Sequence, residues 1–192
     1  MTRHKRSEET IRKLLDTALE VYPGDFTLRA MTTRSGVSMG SLYHHFGSLE
    51  GLAAALYGRC MDELLDRMAA AVEEAADARD GVRRAVVAYL GFTADHPDKA
   101  RFIHAAPYAL DLGPYAERIA AAKAPRLARL NGWIRGHMDA GTVARLPVAQ
   151  VEMLLIGPVA EVTRRWLAGV PGIDLEEAAR ILPDRIWRSL GE

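Results

Sequence analysis

Hydrophobic and polar positions follow helical spacing along almost the whole chain. From residue 8 to residue 22, apolar side chains recur every three or four positions, which predicts a helix with one buried face. Six more helical stretches follow residue 48, and none of them alternates strictly as a strand does. The pattern predicts an all-α fold of about nine helices. A head of three short helices (residues 1–50) would be joined by a long helix to a larger body (residues 51–192).

One stretch near the N-terminus carries specific local signals: TLRAMTTRSGVSMGSLYHHFGSLEGL. The hydroxyl groups of Thr27 and Ser38 can each accept a hydrogen bond from an unpaired backbone N–H, so each residue is predicted to begin a short helix. Gly36 stands between these helices, where a left-handed turn residue without a Cβ is needed. In the second helix, Leu42 and Phe46 are one turn apart and are predicted to point inward. The positions left on or near the outside are Met39, Gly40, Ser41, Tyr43, His44 and His45.

Two short helices joined by a glycine turn are an arrangement that places a helix in the major groove of DNA. No Asp or Glu occurs between Arg29 and Phe46, so no carboxylate on this segment repels phosphate. The candidate DNA-binding residues are Arg29, Ser38, Met39, Gly40, Ser41, Tyr43, His44, His45 and Ser48.

The pattern S-x-G-x-L-Y-x-H-F after a Gly-Val turn resembles the tetracycline-repressor (TetR) family of bacterial regulators. The resemblance is strong over residues 7–56 and covers the remainder only in general layout. It implies a dimeric, ligand-responsive repressor that binds a palindromic operator and is released by a small-molecule effector. It also implies that Tyr43 and His45 mainly contact phosphates. The chain departs from the family in a short connection at residues 23–26 and in Leu49, where the family commonly has a phosphate-binding lysine.

Net charge gives the weakest support for DNA binding. The chain has 25 basic and 25 acidic residues, and residues 1–50 have seven Lys and Arg against six Asp and Glu. A protein that binds polyanions without specificity is expected to be more basic. Arg3, Lys5 and Arg6 form a basic arm before a helix that Ser7 is predicted to cap. That arm is interpreted either as a DNA contact or as a solvated terminus.

The last two helices are predicted to form a dimer interface. Residues 148–169 and 174–190 carry apolar side chains around nearly the whole circumference of each predicted helix. This is more apolar surface than one buried face requires. A second copy related by a two-fold axis would cover the excess, and the alternative is that these helices only line a monomer core. The candidate interface residues are Leu154, Val162, Trp166, Leu175, Leu182 and Ile186.

The middle helices are predicted to enclose an effector pocket. The resemblance places an effector among them, and their aromatic, adaptable and polar side chains suit a hydrophobic or aromatic small molecule. For each residue alone, packing in the core is the alternative. The candidates are Tyr89, Phe92, Phe102, His104, Tyr108, Trp133, His137, Met153 and Glu161.

Other classes of protein receive little support from the sequence. No metal-ligand spacing, nucleophile motif or glycine-rich phosphate loop is present, so no cofactor, no metal and no enzyme activity are expected. Cys60 lies in an apolar stripe and is predicted to be a core residue. The sequence predicts a cytoplasmic location and no membrane partner. An architectural or nonspecific DNA-binding protein and a small helical enzyme stay as alternatives.

Overall fold

The computed structural model describes residues 3–191, with side chains from Lys5 onward. In this part of the chain there are helices and no strands, which confirms the predicted all-α class. A single 3-10 turn, Gly113–Tyr115, precedes α7. The helices are α1 (Arg3–Val21), α2 (Leu28–Ser35), α3 (Met39–Phe46), α4 (Leu49–Glu73), α5 (Ala78–Asp95), α6 (Pro97–Ala109), α7 (Ala116–Asp139), α8 (Val148–Leu167) and α9 (Leu175–Leu190).

Two helices begin earlier than the sequence predicts. α1 starts at Arg3 instead of after Ser7, so Lys5 and Arg6 lie in its first turns and are not an extended arm. The side chain of Arg3 lies outside the described residues. The sequence predicts that the next helix starts at Asp80, after a break at residues 78–81, whereas α5 starts just after Asp77. The Asp77 carboxylate accepts a hydrogen bond from the Asp80 backbone N–H at 2.8 Å. In both cases the helix includes residues that the sequence places before the helix or at its cap. Differences of a few residues are common at helix ends.

The chain divides into two compact units. The N-terminal unit consists of the residues up to Met61 together with Arg101–Ala122. Cys60 is fully buried in it, as predicted. The predicted domain boundary after residue 50 stays a prediction. The compact unit also includes residues 51–61 of α4, residues 101–109 of α6 and the start of α7. The largest buried side chains of this unit are Leu14, Met31, Leu42, Leu52, Leu56 and Phe102.

The C-terminal unit consists of Asp62–Ala100 and the residues from Lys123 onward. Helices α5, α8 and α9 pack against one another in it. Ion pairs join the second half of α4 to α7, with Arg126 donating to Asp66 at 2.8 Å and Arg129 donating to Glu73 at 2.7 Å. The core side chains of this unit include Val82, Val86, Leu90, Val151, Leu155, Val159, Ile186 and Leu190.

Two absences hold for the described residues. Between residues 3 and 191, no helix combines the length and the apolar character that a membrane span requires. Over the same range, no group of three or more His, Cys, Asp and Glu side chains is arranged to hold a metal ion.

Candidate nucleic-acid interface

The caps predicted for the two short helices are present. The Ala30 backbone N–H donates to the Thr27 hydroxyl at 3.2 Å, and the Ser41 N–H donates to the Ser38 hydroxyl at the same distance. Gly36 has φ of +62°, the left-handed conformation that the turn requires. Ser35 adds a turn contact that the sequence did not reveal. Its buried hydroxyl accepts a hydrogen bond from the Val37 backbone N–H at 3.1 Å and donates to the Met31 carbonyl at 2.6 Å.

α3 has one buried and one exposed side. Leu42 is fully buried and Phe46 is 8% exposed, so these two side chains fix the rotation of the helix about its axis. Met39 is 49% exposed and Tyr43 is 44% exposed, although both are large and partly apolar. We call the outward residues Met39, Gly40, Ser41, Tyr43, His44 and His45 the α3 surface; within it, Ser41 and His45 are half-buried and the other four are exposed.

The predicted DNA-binding residues outside α3 are in two different situations. Arg29 is exposed on α2. The hydroxyls of Ser38 and Ser48 each accept a hydrogen bond from the backbone of the helix that follows. Both serines are therefore partly engaged as helix caps, whereas the Arg29 side chain is exposed to solvent.

Sequence reasoning missed a group of contacts at the corner between α3 and α4. The Ser48 hydroxyl lies 2.8 Å from the phenol oxygen of Tyr115, and Arg118 donates to the Gly51 carbonyl at 3.1 Å. The Arg118 guanidinium also lies 4.9 Å from the centre of the Tyr115 ring. Sixty-seven positions of sequence separate Ser48 from Tyr115. A glycine in the first turn of α4 was the one local signal of a close approach.

The predicted effector residues do not all fall in one unit. Phe102, His104 and Tyr108 belong to the N-terminal unit, and the other six belong to the C-terminal unit. Phe102 is fully buried with its ring 4.7 Å from that of Tyr22, an edge-to-face core contact. Tyr108 is 91% exposed and faces solvent.

Within the C-terminal unit, Trp133 and His137 lie together on α7. Their ring centroids are 4.6 Å apart with an interplanar angle of 65°. A Cβ placed on Gly81 would lie 2.0 Å from the Trp133 ring, so this indole packs directly on the backbone of α5. Tyr89 and Phe92 are buried on α5, whereas Met153 is 64% exposed on α8. Glu161 forms ion pairs with Arg164 and Arg165.

One cavity of the C-terminal unit has a volume of about 320 Å³. It is lined mainly by charged side chains from the start of α5 and from α9, and none of them is in the predicted effector set. The Arg79 side chain pairs with Asp184 across this cavity at 2.8 Å. The lining residues are Asp77, Arg79, Asp80, Arg83, Pro183 and Asp184.

The predicted dimer residues also differ in exposure. Leu175 and Ile186 are 8% and 3% exposed and lie in the core of the chain. Val162, Trp166 and Leu182 are half-buried, and Leu154 is 37% exposed. Exposed apolar residues on these helices form what we call the α8–α9 surface: Met153, Leu154, Gly157, Pro158 and Ile181.

Comparisons with known proteins identify the fold. No protein-family model and no curated protein sequence matches the chain. A TetR-family regulator from Marinobacter aquaeolei VT8 superposes with a TM-score of 0.74 at 17% identity, over 98% of this chain and 99% of that one. The regulator PfmR from Thermus thermophilus gives 0.64 at 21% identity, over 91% and 97%.

A third solved structure is that of the transcriptional regulator FadR from Bacillus subtilis in complex with stearoyl-CoA. It superposes with a TM-score of 0.75 at 18% identity, over 91% of this chain and 96% of FadR. All three matches span nearly the whole chain, including both compact units. The chain therefore has the fold of the TetR-family transcription regulators, which its helix-turn-helix motif predicts.

Proposed function

We propose that the protein is a transcriptional regulator that binds a palindromic operator as a homodimer and represses transcription until a small-molecule effector releases it. The α3 surface carries this proposal. It combines a capped helix start, exposed Tyr43 and His44 side chains and a segment free of carboxylates. The fold shared with solved regulators supports the same class of function.

The DNA contacts follow from the chemistry of each group. Tyr43, His45 and the backbone amides at the start of α3 suit phosphate oxygens, which position a helix without reading sequence. Arg29 and Ser41 carry donors that suit base edges in the major groove. Sequence specificity is therefore assigned mainly to Arg29 and Ser41.

The homodimer is assigned to the α8–α9 surface. Met153 and Leu154 lie one helical turn before Gly157 and Pro158, so the exposed apolar positions of α8 follow one face. A two-fold axis would pair this face with itself and remove it from water. Two subunits would then present two recognition helices to the two halves of a palindrome.

The effector is proposed to be a hydrophobic or aromatic small molecule that binds the C-terminal unit near Trp133 and His137. FadR from Bacillus subtilis was solved with stearoyl-CoA, so long-chain acyl-CoAs are a reasonable part of a first panel of compounds. Linkage requires that an effector which weakens operator binding also binds less well to the DNA complex. A bound effector near Trp133 is expected to change tryptophan fluorescence.

Trp133→Ala tests this location. If Trp133 contacts the effector, the variant loses the fluorescence response and keeps operator binding in the absence of effector. If the indole only packs on Gly81, the variant loses roughly 3–5 kcal/mol of stability and impairs all functions together. Thermal melting of the variant separates the two results.

The decisive experiment for the proposed function is selection of bound duplexes from a random-sequence library, followed by gel shifts with the selected sequence. A palindromic consensus supports the proposal. An architectural protein would bind scrambled duplexes equally well, and an enzyme would show turnover without a selected sequence. Either result would overturn the proposal.

A further inference from the structure

The start of α7 contacts the corner that connects the recognition helix to α4. This corner consists of Phe46, Gly47, Ser48 and the first turn of α4, and every contact described below lies within the N-terminal unit. The Tyr115 phenol oxygen is 2.8 Å from the Ser48 hydroxyl oxygen, and the Arg118 guanidinium donates to the Gly51 carbonyl at 3.1 Å.

Gly51 allows the corner to close tightly. A Cβ at this position would lie 2.0 Å from the Phe46 carbonyl oxygen and 3.3 Å from the Tyr115 phenol oxygen. The first turn of α4 therefore sits directly against the last residue of α3. Because a backbone atom is the neighbour at 2.0 Å, this approach cannot be relieved by moving a flexible side chain.

The Ser48 hydroxyl joins the two sides of the corner. It accepts a hydrogen bond from the Gly51 backbone N–H at 2.9 Å, which caps α4. A hydroxyl oxygen has two lone pairs and one proton, so a bond with the Tyr115 phenol is available in addition to the cap. Arg118 stacks on the Tyr115 ring and also bonds to Gly51, so both ends of the Gly51 residue are tied to this network.

Leu42 and Phe46 fix the rotation of α3 about its own axis. The corner fixes the direction of the α3 axis relative to α4. Base-edge hydrogen bonds depend on this direction much more than backbone phosphate contacts do. A helix that is already held in its binding direction loses less freedom when it binds.

We infer that Tyr115 and Arg118 are positioning residues for the recognition helix: through Ser48 and Gly51 they hold α3 in the direction that operator reading requires. The inference rests on the proposed function, because it takes α3 as the DNA-reading helix. It assigns to the start of α7 a role in specificity without any contact to DNA.

The test uses the full-length protein and two duplexes of equal length, one selected from a random library by the parent protein and one scrambled. We expect Tyr115→Phe and Arg118→Ala each to raise the Kd for the selected duplex about tenfold, the effect of one lost hydrogen bond. The Kd for the scrambled duplex should stay within about twofold, since phosphate contacts tolerate a misdirected helix.

Two further variants complete the comparison. Arg101→Ala removes an exposed arginine from α6 of the same unit and should leave both Kd values unchanged. Arg118→Lys keeps a donor for the Gly51 carbonyl and should recover part of the loss. Melting temperatures are measured for all variants, and a merely structural contact would lower melting and weaken binding to both duplexes in parallel.

A double-variant comparison tests the link through Ser48. If Ser48 and Tyr115 act as one contact, Ser48→Ala combined with Tyr115→Phe should weaken operator binding no more than Ser48→Ala alone. If the Ser48 hydroxyl contacts phosphate independently, the two fold-changes multiply, and the assigned link is wrong.

The outcomes separate this inference from the proposed function. If the parent protein selects no sequence, the proposed function fails and the inference fails with it. If the parent selects an operator and both Tyr115→Phe and Arg118→Ala bind it as the parent does, only the inference is overturned. Equal weakening on the selected and scrambled duplexes also overturns it.

Discussion

The α3 surface and the α8–α9 surface both expose large apolar side chains, but they differ in what surrounds those side chains. Met39 and Tyr43 lie among serine and histidine side chains, which can donate and accept hydrogen bonds. Met153 and Leu154 are followed one turn later by Gly157 and Pro158, which have no polar side chain. Exposure of large apolar side chains therefore does not distinguish the two surfaces, whereas the neighbouring hydrogen-bonding groups do.

The physical reason lies in what each partner offers. A DNA duplex presents phosphate and base-edge oxygens and nitrogens, so a surface that binds it needs donors spaced between its apolar groups. A second protein chain can present an apolar face, for which side-chain donors are unnecessary. The α3 surface fits the first partner and the α8–α9 surface fits the second.

The largest expected effect is on the α8–α9 surface. Leu154 is 37% exposed, so Leu154→Glu keeps its carboxylate in water in the monomer but would bury it unpaired in a dimer. We expect the dimer dissociation constant to rise at least about 100-fold, measured by sedimentation. Operator affinity should fall with it, because a single recognition helix reads only half of a palindrome.

Val87→Glu is the matched control for this change. Val87 is 42% exposed on α5 and lies outside the α8–α9 surface, so a carboxylate there should leave the dimer intact. Dissociation by both variants, or by neither, would contradict the assignment of the dimer to this surface. A parent protein that sediments as a monomer at micromolar concentration would contradict the dimer itself.

The next largest effect is on DNA binding by α2 and α3, where two variants distinguish base-edge contacts from phosphate contacts. Arg29→Ala should cost about 1–3 kcal/mol of operator binding and relax the preference at one base position. Tyr43→Ala should weaken binding to all duplexes to a similar extent, because a phosphate contact carries no sequence information. Gel shifts in which both variants match the parent would remove these residues from the interface.

A pair of glycines on α4 tests how tightly the corner behind α3 is packed. Gly51→Ala forces a Cβ to within 2.0 Å of the Phe46 carbonyl oxygen, and we expect it to destabilise the protein by about 1–3 kcal/mol. Gly58→Ala meets no atom within 4 Å and should stabilise the helix by about 0.5–1 kcal/mol. Urea unfolding measures both changes, and equal behaviour of the two variants would refute the close approach.

The smallest expected effect is the pH dependence of the Arg79–Asp184 contact, which links the start of α5 to α9. The hydrogen bond from Arg79 holds the pKa of the Asp184 carboxyl below its ordinary value of 3.8. A lowered pKa contributes stability above pH 3.8, and that stability is lost as the pH falls and the carboxylate is protonated. Asp184→Asn should therefore lower Tm slightly at pH 7.

The same variant provides its own control at low pH. The difference in Tm between Asp184→Asn and the parent should shrink as the pH falls below 3.8, and Arg79→Gln should show the same small loss at pH 7. Both side chains are mostly exposed, at 63% and 62%, so the loss should be small. A difference in Tm that persists unchanged into acid would assign the effect to something other than this ion pair.

The sequence predicted the helix-turn-helix almost completely, because its determinants are local. The hydroxyl of Thr27 or Ser38 caps a helix from three residues away, and the left-handed conformation of Gly36 depends on the turn itself. The apolar pair Leu42 and Phe46 needs only helical spacing to be recognised. These signals also carried the resemblance to the TetR fold, which the solved structures confirm.

Contacts between distant segments were not predictable in this way. Nothing near Ser48 in the sequence indicates Tyr115, and nothing near Phe102 indicates the Tyr22 ring that packs on its edge. Helical periodicity marks a residue as buried but does not say against which helix it packs. The predicted effector residues therefore include side chains buried in the core, side chains exposed to solvent and one side chain in ion pairs.

The N-terminal unit is discontinuous in sequence, and this affects how proteins with this fold could be recombined. A chimera that joins residues 1–50 to a foreign body would transfer α3 without the segment 101–122, which belongs to the same compact unit. Such a chimera would keep the residues proposed to touch DNA and lose Tyr115 and Arg118 from behind them. An exchange that carries both segments would transplant the whole unit, so the practical module for engineering is two pieces of chain and not one.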